Sequence, residues 1–374
     1  MTPGGRLPKE RWWRRRAGRA QSGGPTEGGA VRTTFTMTPD AGEVDGMAAH
    51  WRATLAERTR HHGHRHPDTL RAGYTLGVLE LAAGRPAEAE AVLRPLLGPC
   101  ADVLGPEHPT TLDVQGHLAR ALTHLGRDAE AEELFRAALD GYARAADPPA
   151  DHVVALRRAL VRFLDERNRH REAARHQQGV LTHVEQELGR DSAEVLDERG
   201  MLADLWRLAG HPDEALPVYK ATLADAERLL GPDHLHTTNV RTLLAQVAMD
   251  VDDPDAERFQ RGVVADQERL SGPGSPGVLV ARSNLAELVR HRGRQDEAEV
   301  LYREVLAEHR NLLGPEHEGT LFTAANLGQL LLEMGRSDEA AALFRELLPA
   351  AERVFGPDHP VTRDARRHGG DPRG

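Results

Sequence analysis

Apolar positions in this chain return three and four residues apart, and polar or charged residues fill the places between them. That spacing lays one apolar stripe along an α-helix. The stripes are interrupted by a phrase whose glycine recurs at Gly63, Gly105, Gly189, Gly231, Gly272, Gly314 and Gly356, at intervals of 42, 84, 42, 41, 42 and 42 residues. The doubled interval spans a unit in which Asp147 stands in place of the glycine, and the short one reflects a residue lost near VDDPDAERF. Self-similarity at a fixed period of this length marks an array of stacked units.

The phrase reads as helix punctuation: LGPEHPTTL (104–112), LLGPDHLHTT (229–238), LLGPEHEGTL (312–321) and FGPDHPVT (355–362) share one pattern. Glycine after an apolar helix end adopts the left-handed conformation that closes a helix, and the proline after it prevents continuation. A second proline, as at Pro67, Pro109, Pro276 and Pro360, suits the first turn of the next helix, where a missing N–H costs nothing. A second mark follows 21 residues after the first, at Gly84, Gly126, Gly210, Gly293 and Gly335. Each unit is therefore expected to be an antiparallel hairpin of two helices, and the fold class all-α.

Within the units, thirteen residues after each anchor stands Leu76, Leu118, Leu160, Leu202, Leu244, Leu285 or Leu327. The next residue is small in six of seven units, Val161 being the exception. The second helix carries Ala89, Ala131, Ala173, Ala215, Ala256, Ala298 and Ala340, followed four residues later by a ring at Phe135, Tyr219, Tyr302 and Phe344. A leucine knob, a small neighbour and a facing alanine let two helices approach closely.

These steps resemble the tetratricopeptide repeat. The 42-residue length and the LGPEHP phrase are similar to its kinesin-light-chain class, in the actinobacterial type, over residues 63 to about 366. The resemblance implies a right-handed superhelical α-solenoid with the first helices lining a concave groove, deepened by about one turn per helix relative to the usual unit of about 34 residues. The expected organisation is a basic leader (1–43), a capping helix (44–62), seven repeats (63–104, 105–146, 147–188, 189–230, 231–271, 272–313, 314–355) and a partial repeat with a tail (356–374). Trp51 and Leu55 lie two periods before Phe135 and Leu139, which makes the capping helix a lone second helix. The third repeat, with DPPADH, and the fifth, with MDVDDPDA, are expected to be bent or loosened.

Composition narrows the function. Aromatics are 4% and charged residues 28%, the palette of helices packed through aliphatic side chains. The net charge of -10 divides into +6 over residues 1–35 and -16 over the rest. An acidic body argues against an extended nucleic-acid surface, so no nucleic-acid partner is expected. One cysteine, Cys100, excludes an internal disulfide or a multi-thiolate zinc site and fits a reducing, cytoplasmic setting. No run is apolar enough for a signal peptide or a membrane span, and the leader is expected to be disordered.

No phosphate-binding loop, dinucleotide fingerprint or HExxH motif occurs, so no catalytic residue, cofactor or enzyme activity is expected. His61, His62, His64 and His66 suggest a metal, the weakest alternative; but His66 has counterparts at His108, His234, His317 and His359, which makes it a residue of the repeat turn. His170, His176 and His183 read as polar-face residues. The positions expected to face the groove change character along the array. Early repeats offer Arg71, Tyr74, Arg120, Arg158 and Arg162; later ones offer Asn239, Thr242, Gln246, Ser283, Asn284, Asn326 and Gln329. The resemblance further implies that Asn284 and Asn326 hold a peptide backbone. The expectation is a non-catalytic scaffold for a protein or peptide partner, with an acidic segment drawn to Arg120, Arg158 and Arg162. The alternative is a regulatory module that self-associates through an apolar, incompletely capped C-terminal end.

Overall fold

The computed structural model describes residues 41–370; the leader expectation for residues before Ala41 and that for the last four residues lie outside them. The chain is an all-α solenoid. A single helix, α1 (Ala41–His62), precedes seven helical hairpins. In the first, α2 (Pro67–Ala82) pairs with α3 (Pro86–Leu93), which passes through a 3-10 turn at Arg94–Leu96 into α4 (Leu97–Val103). The remaining hairpins are α5 (Pro109–His124) with α6 (Asp128–Arg144), α7 (Ala150–Glu166) with α8 (His170–Leu188), α9 (Ala193–Leu208) with α10 (Pro212–Leu230), α11 (Leu235–Asp250) with α12 (Ala256–Ser271), α13 (Pro276–His291) with α14 (Gln295–Leu312), and α15 (Glu318–Glu333) with α16 (Ser337–Phe355). A short α17 (Pro360–Gly369) ends the described chain.

The repeated histidine has a structural task. In His66, His108, His234, His317 and His359 the Nδ1 atom accepts the N–H two residues on, at 3.1–3.3 Å, and so caps the first helix. Ser192 and Ser275 cap α9 and α13 in the same place. Each cap satisfies a donor that the helix leaves unpaired.

The irregular turns keep the geometry of the regular ones. Asn168 and Asp252 stand where the other hairpins have glycine and hold the left-handed conformation themselves, with φ of 59° and 54°. The bond that closes the turn is unchanged: Arg169 N–H to Leu164 O at 2.9 Å and Asp253 N–H to Ala248 O at 2.8 Å match Arg85 N–H to Glu80 O at 2.9 Å. Short polar side chains tolerate this region, so neither turn is loosened. The third repeat departs elsewhere. Ala145 is extended after α6, Pro149 offers α7 no side-chain cap, and α7 meets α6 far less than later first helices meet the second helix before them.

The core follows the packing code. The seven leucines and the seven alanines are buried, and a Cβ on Gly77 or Gly328 would strike Leu93 or the Phe344 ring at 2.4 and 2.6 Å. The ring site is filled by Gln177 and Gln260 in the two irregular repeats. Each amide donates to a backbone carbonyl of the next first helix, Glu198 O at 3.1 Å and Ala281 O at 2.8 Å. A glutamine thus replaces ring packing with an inter-repeat hydrogen bond.

Two sets of arginines join the hairpins. At the hairpin turn, Arg127, Arg169, Arg294 and Arg336 donate both to a glutamate of their own second helix and, at 2.5–2.8 Å, to Glu90, Glu132, Glu257 and Glu299 of the preceding one. The fourth hairpin has His211 at the turn position and the third has Ala174 at the acceptor position, and at the fifth the polarity is reversed, Lys220 donating to Asp253 at 2.8 Å. At those joints a first-helix arginine takes over. Arg199 reaches Glu185 at 2.7 Å and Asp225 at 2.5 Å, and Arg241 reaches Glu227 at 2.7 Å and Asp266. Arg282 with Glu268 and Arg366 with Glu352 repeat this arrangement. The exposed turn rungs contribute little singly, about 0.2–1 kcal/mol. The buried ones matter through the penalty of breaking them.

Consecutive first helices touch at both ends of the array (α2 with α5, α5 with α7, α13 with α15, α15 with α17), and no second helices pack together to that extent. The first helices therefore form the inner side. At the C-terminal end α17 buries Val361, Thr362, Ala365 and Gly369 and turns Arg363, Asp364, Arg366 and Arg367 outward. The apolar end face on which the self-association alternative depends is thus covered by a helix with a charged outer side.

Replacing Ala131 or Ala298 with leucine will overpack a fully buried contact and cost about 1–3 kcal/mol, read as a lowered midpoint in urea unfolding. Asp252→Gly will raise the melting temperature, since glycine takes the left-handed turn without strain, by about 1 kcal/mol in stability; Asp252→Ala will lower it.

Candidate binding face

The inner side is built from positions that the packing code leaves free on each first helix. In the fourth turn these are Val78, Arg120, Arg162, Asp204, Gln246, Glu287 and Gln329. The row is thus not simply basic and then amide-rich, because Asp204 and Glu287 interrupt it. Asp204 accepts the Tyr219 hydroxyl at 2.5 Å, and burial pushes its carboxyl pKa above the usual range. Glu287 accepts Tyr302 at 2.5 Å and Arg290 at 2.5 Å.

The five early residues divide sharply. Arg158 is neutralised by Glu194 at 2.6 Å and Glu198 at 2.7 Å, and Arg71 by Asp68 at 2.7 Å. Arg120 and Arg162 have no acidic partner among the described residues. Arg120 is part-buried, and its guanidinium pKa is lowered by that burial and by the charge of Arg162. Tyr74 lies edge-on to His117 at 5.4 Å, and burial with the nearby Asp113 carboxylate pushes its hydroxyl up to about 12.

A polar cluster around these residues escaped the sequence reading. Asp113 accepts the Tyr142 hydroxyl at 2.7 Å and pairs with His152 Nδ1 at 2.7 Å, while His117 Nδ1 lies 2.9 Å from the Asp113 backbone carbonyl. Asp113 shares its register with Arg71 and Asn239, which was the available signal; the pairing with His152, 39 residues away, has no trace in local pattern.

Of the later residues, Asn239, Gln246, Asn284, Asn326 and Gln329 are exposed, and their amides have no hydrogen-bond partner within the described chain. Thr242 donates to its own helix at Thr238 O, 2.9 Å, and Ser283 Oγ is buried without a partner. Just N-terminal to the two asparagines stand Val280 and Phe322, both exposed; Phe322 belongs to a ring cluster with Phe355 at 5.1 Å and His359 at 5.9 Å.

No group of three or more His, Cys, Asp or Glu side chains among the described residues is arranged to hold a metal. His62 and His66 stack at 4.6 Å, and the His66 Nδ1 is occupied by its cap. His170 pairs with Asp165 at 3.1 Å and His183 with Asp151 at 3.8 Å. Cys100 is fully buried, and burial pushes its thiol up to about 11, which disfavours the nucleophilic thiolate.

Models of the tetratricopeptide repeat match residues 70–95, 111–153, 199–236, 278–318 and 301–353. The chain belongs to the tetratricopeptide-repeat family. Among solved structures it is similar to BtubC (BKLC) from P. vanneervenii, with 18% identity, 62% of this chain and 91% of that one covered, and a TM-score of 0.41. A putative kinesin light chain with nearly identical repeats from Podosopora anserina shows 21% identity, coverage of 66% and 97%, and a TM-score of 0.34. The apo form of RapI shows 9% identity, coverage of 76% and 77%, and a TM-score of 0.48. No curated protein matches the chain. Among the described residues no helix is long and apolar enough to cross a membrane.

The His117 imidazole of the tetratricopeptide face has a pH consequence. Burial holds the His117 imidazole below the ordinary value of 6.5, so the unfolded chain takes up its proton first as pH falls. The His117 contribution to stability is complete above about pH 6.5 and is lost on acidification below it. The melting temperature should fall between about pH 7.5 and about pH 5.5, and His117→Gln should make that fall smaller; His309 and His176, shifted the same way by burial, will keep part of it.

Proposed function

We propose that this protein is a non-catalytic scaffold that binds a partner protein by laying an extended peptide or a helix along its first helices. The carrying observation is the set of exposed amides without intramolecular partners, above all Asn284 and Asn326, which occupy one register on neighbouring repeats. An amide offers a donor and an acceptor at fixed spacing, which suits the N–H and C=O groups of a bound backbone. Val280 and Phe322, one turn away, supply apolar surface for an adjoining side chain. The repeat family supports the same reading, and a single buried cysteine fits a cytoplasmic setting.

Affinity purification with the full chain, identification of the captured protein and calorimetry with its purified form test this. Asn284→Ala and Asn326→Ala should each weaken binding by about 0.5–1.5 kcal/mol while leaving the melting curve unchanged. Affinity that is unaltered in the double variant would exclude the inner face as the binding surface.

A further inference from the structure

We propose that Arg157 of α7 marks a small-solute site on the outer side of the array, in the slot between α6 and α8, where a free phosphate or carboxylate takes the place of the side-chain carboxylates that other joints supply. The site does not draw on the inner face, so it stands or falls apart from the scaffold reading.

Arginine recurs at one register of the first helices, at Arg157, Arg199, Arg241, Arg282 and Arg366. Each of the last four takes a glutamate 14 residues back, on the preceding second helix: Glu185, Glu227, Glu268 and Glu352. Arg199, Arg241 and Arg282 also take Asp225, Asp266 and Glu308, on the second helix of their own hairpin. Both sets of acids sit on second helices, so this register looks outward between them and away from the inner side. For Arg157 the two acid positions hold Ala143 on α6 and His183 on α8. Arg157 has no acidic partner among the described residues.

The slot itself is present although its acids are missing. Arg157 is part-buried, and a Cβ on Gly179 of α8 would stand 2.5 Å from its Nη1. The corresponding glycine of the fifth hairpin, Gly262, gives the same room to Arg241, whose Cδ a Cβ there would meet at 2.7 Å. His176 of α8 lies close enough that, after its own burial, the Arg157 charge lowers its imidazole pKa. Nearby carboxylates are engaged elsewhere: Glu172 by Arg169 at 2.7 Å and Arg136 at 3.7 Å, and Asp151 by His183 at 3.8 Å. On the other side α7 meets α6 far less than later first helices meet the second helix before them, which leaves the slot open where Ala143 replaces the glutamate.

A guanidinium drawn partly out of water without a counter-charge destabilises the fold that holds it. An oxyanion in the slot restores the pairing that the chain itself uses at the next three joints, and the planar fork matches carboxylate and phosphate in geometry. Occupancy therefore favours the folded array and should raise the melting temperature with anion concentration.

The full chain is melted and titrated by calorimetry at low ionic strength with inorganic phosphate, with succinate and, at matched ionic strength, with sodium chloride. Phosphate or succinate should bind and raise the melting temperature above the chloride control. Arg157→Gln should weaken that binding by about tenfold or more, and Arg120→Gln on the inner face should leave it unchanged. Ala143→Glu, an exposed position, supplies the missing acid from within: it should raise the melting temperature of the unliganded chain and abolish the anion effect. That last variant tests the site even where Arg157→Gln does not fold. A response to phosphate alone assigns the slot to phosphate groups, and a response to succinate alone assigns it to carboxylates. The proposal is overturned if neither anion acts beyond chloride, if Arg157→Gln binds as the parent does, if Arg120→Gln costs as much, or if Ala143→Glu leaves the anion effect intact.

Discussion

Two amphipathic helices joined in a hairpin cover only part of each other's apolar surface, and the remainder stays in water until another hairpin stacks on it. Everything in this molecule depends on that stacking. The leucine and its small neighbour on the first helix, with the alanine on the second, set how closely the pair approaches, and the ring or glutamine four residues later determines how the next hairpin is met. Gly77 against Leu93 and Gly328 against the Phe344 ring show how little room is left, since a single Cβ would collide with either. The contact is not equally tight along the array, since the third hairpin buries Val161 where the others have glycine or alanine.

Hydrophobic stacking is non-directional and does not by itself fix the angle between neighbours. The arginines add direction. Where the turn arginine can reach a glutamate of the preceding second helix, the outer edges of adjacent hairpins are tied; where that pairing is missing, at the third-to-fourth joint, or reversed, at the fourth-to-fifth, the buried Arg199 and Arg241 tie the hairpins from within. The two systems alternate in a way that leaves each described joint with at least one charged link. The joint between the second and third hairpins has the turn link but a first helix that meets its predecessor poorly, and it lies beneath the unmatched arginines of the inner face.

That inner face is what remains once packing and linkage have used the rest of the surface. Arg71 and Arg158 are arginines like Arg120 and Arg162, yet carboxylates have claimed them, Asp68 one turn back for the first and Glu194 and Glu198 of the next hairpin for the second. The same holds for Thr242, which bonds to its own helix, in contrast to Asn284 and Asn326, whose amides stay free. Availability for a ligand is therefore a property of the folded array and not of residue type.

The amino-acid sequence by itself determined the period, the two helices of each unit, the turn residues and the identity of the buried contact. All of these are local or repeat within one unit, so the pattern of Gly, Pro, Leu and Ala expresses them directly. It also exposed the irregular repeats: the third does depart at DPPADH, where α7 meets α6 poorly, whereas the fifth was misjudged, because Asp252 holds the left-handed turn intact through backbone geometry that composition only hints at. Which groove residues remain unpaired was decided in part by bonds within one helix, as for Arg71 with Asp68 and Thr242 with Thr238 O, and otherwise by the tertiary structure. Ion pairs such as Arg158 with Glu194, or the bond between His152 and Asp113, join residues 36 and 39 positions apart, and their formation depends on the stagger between stacked hairpins. A helical period read along one strand of sequence does not contain that stagger; it arises when one hairpin seats on the next.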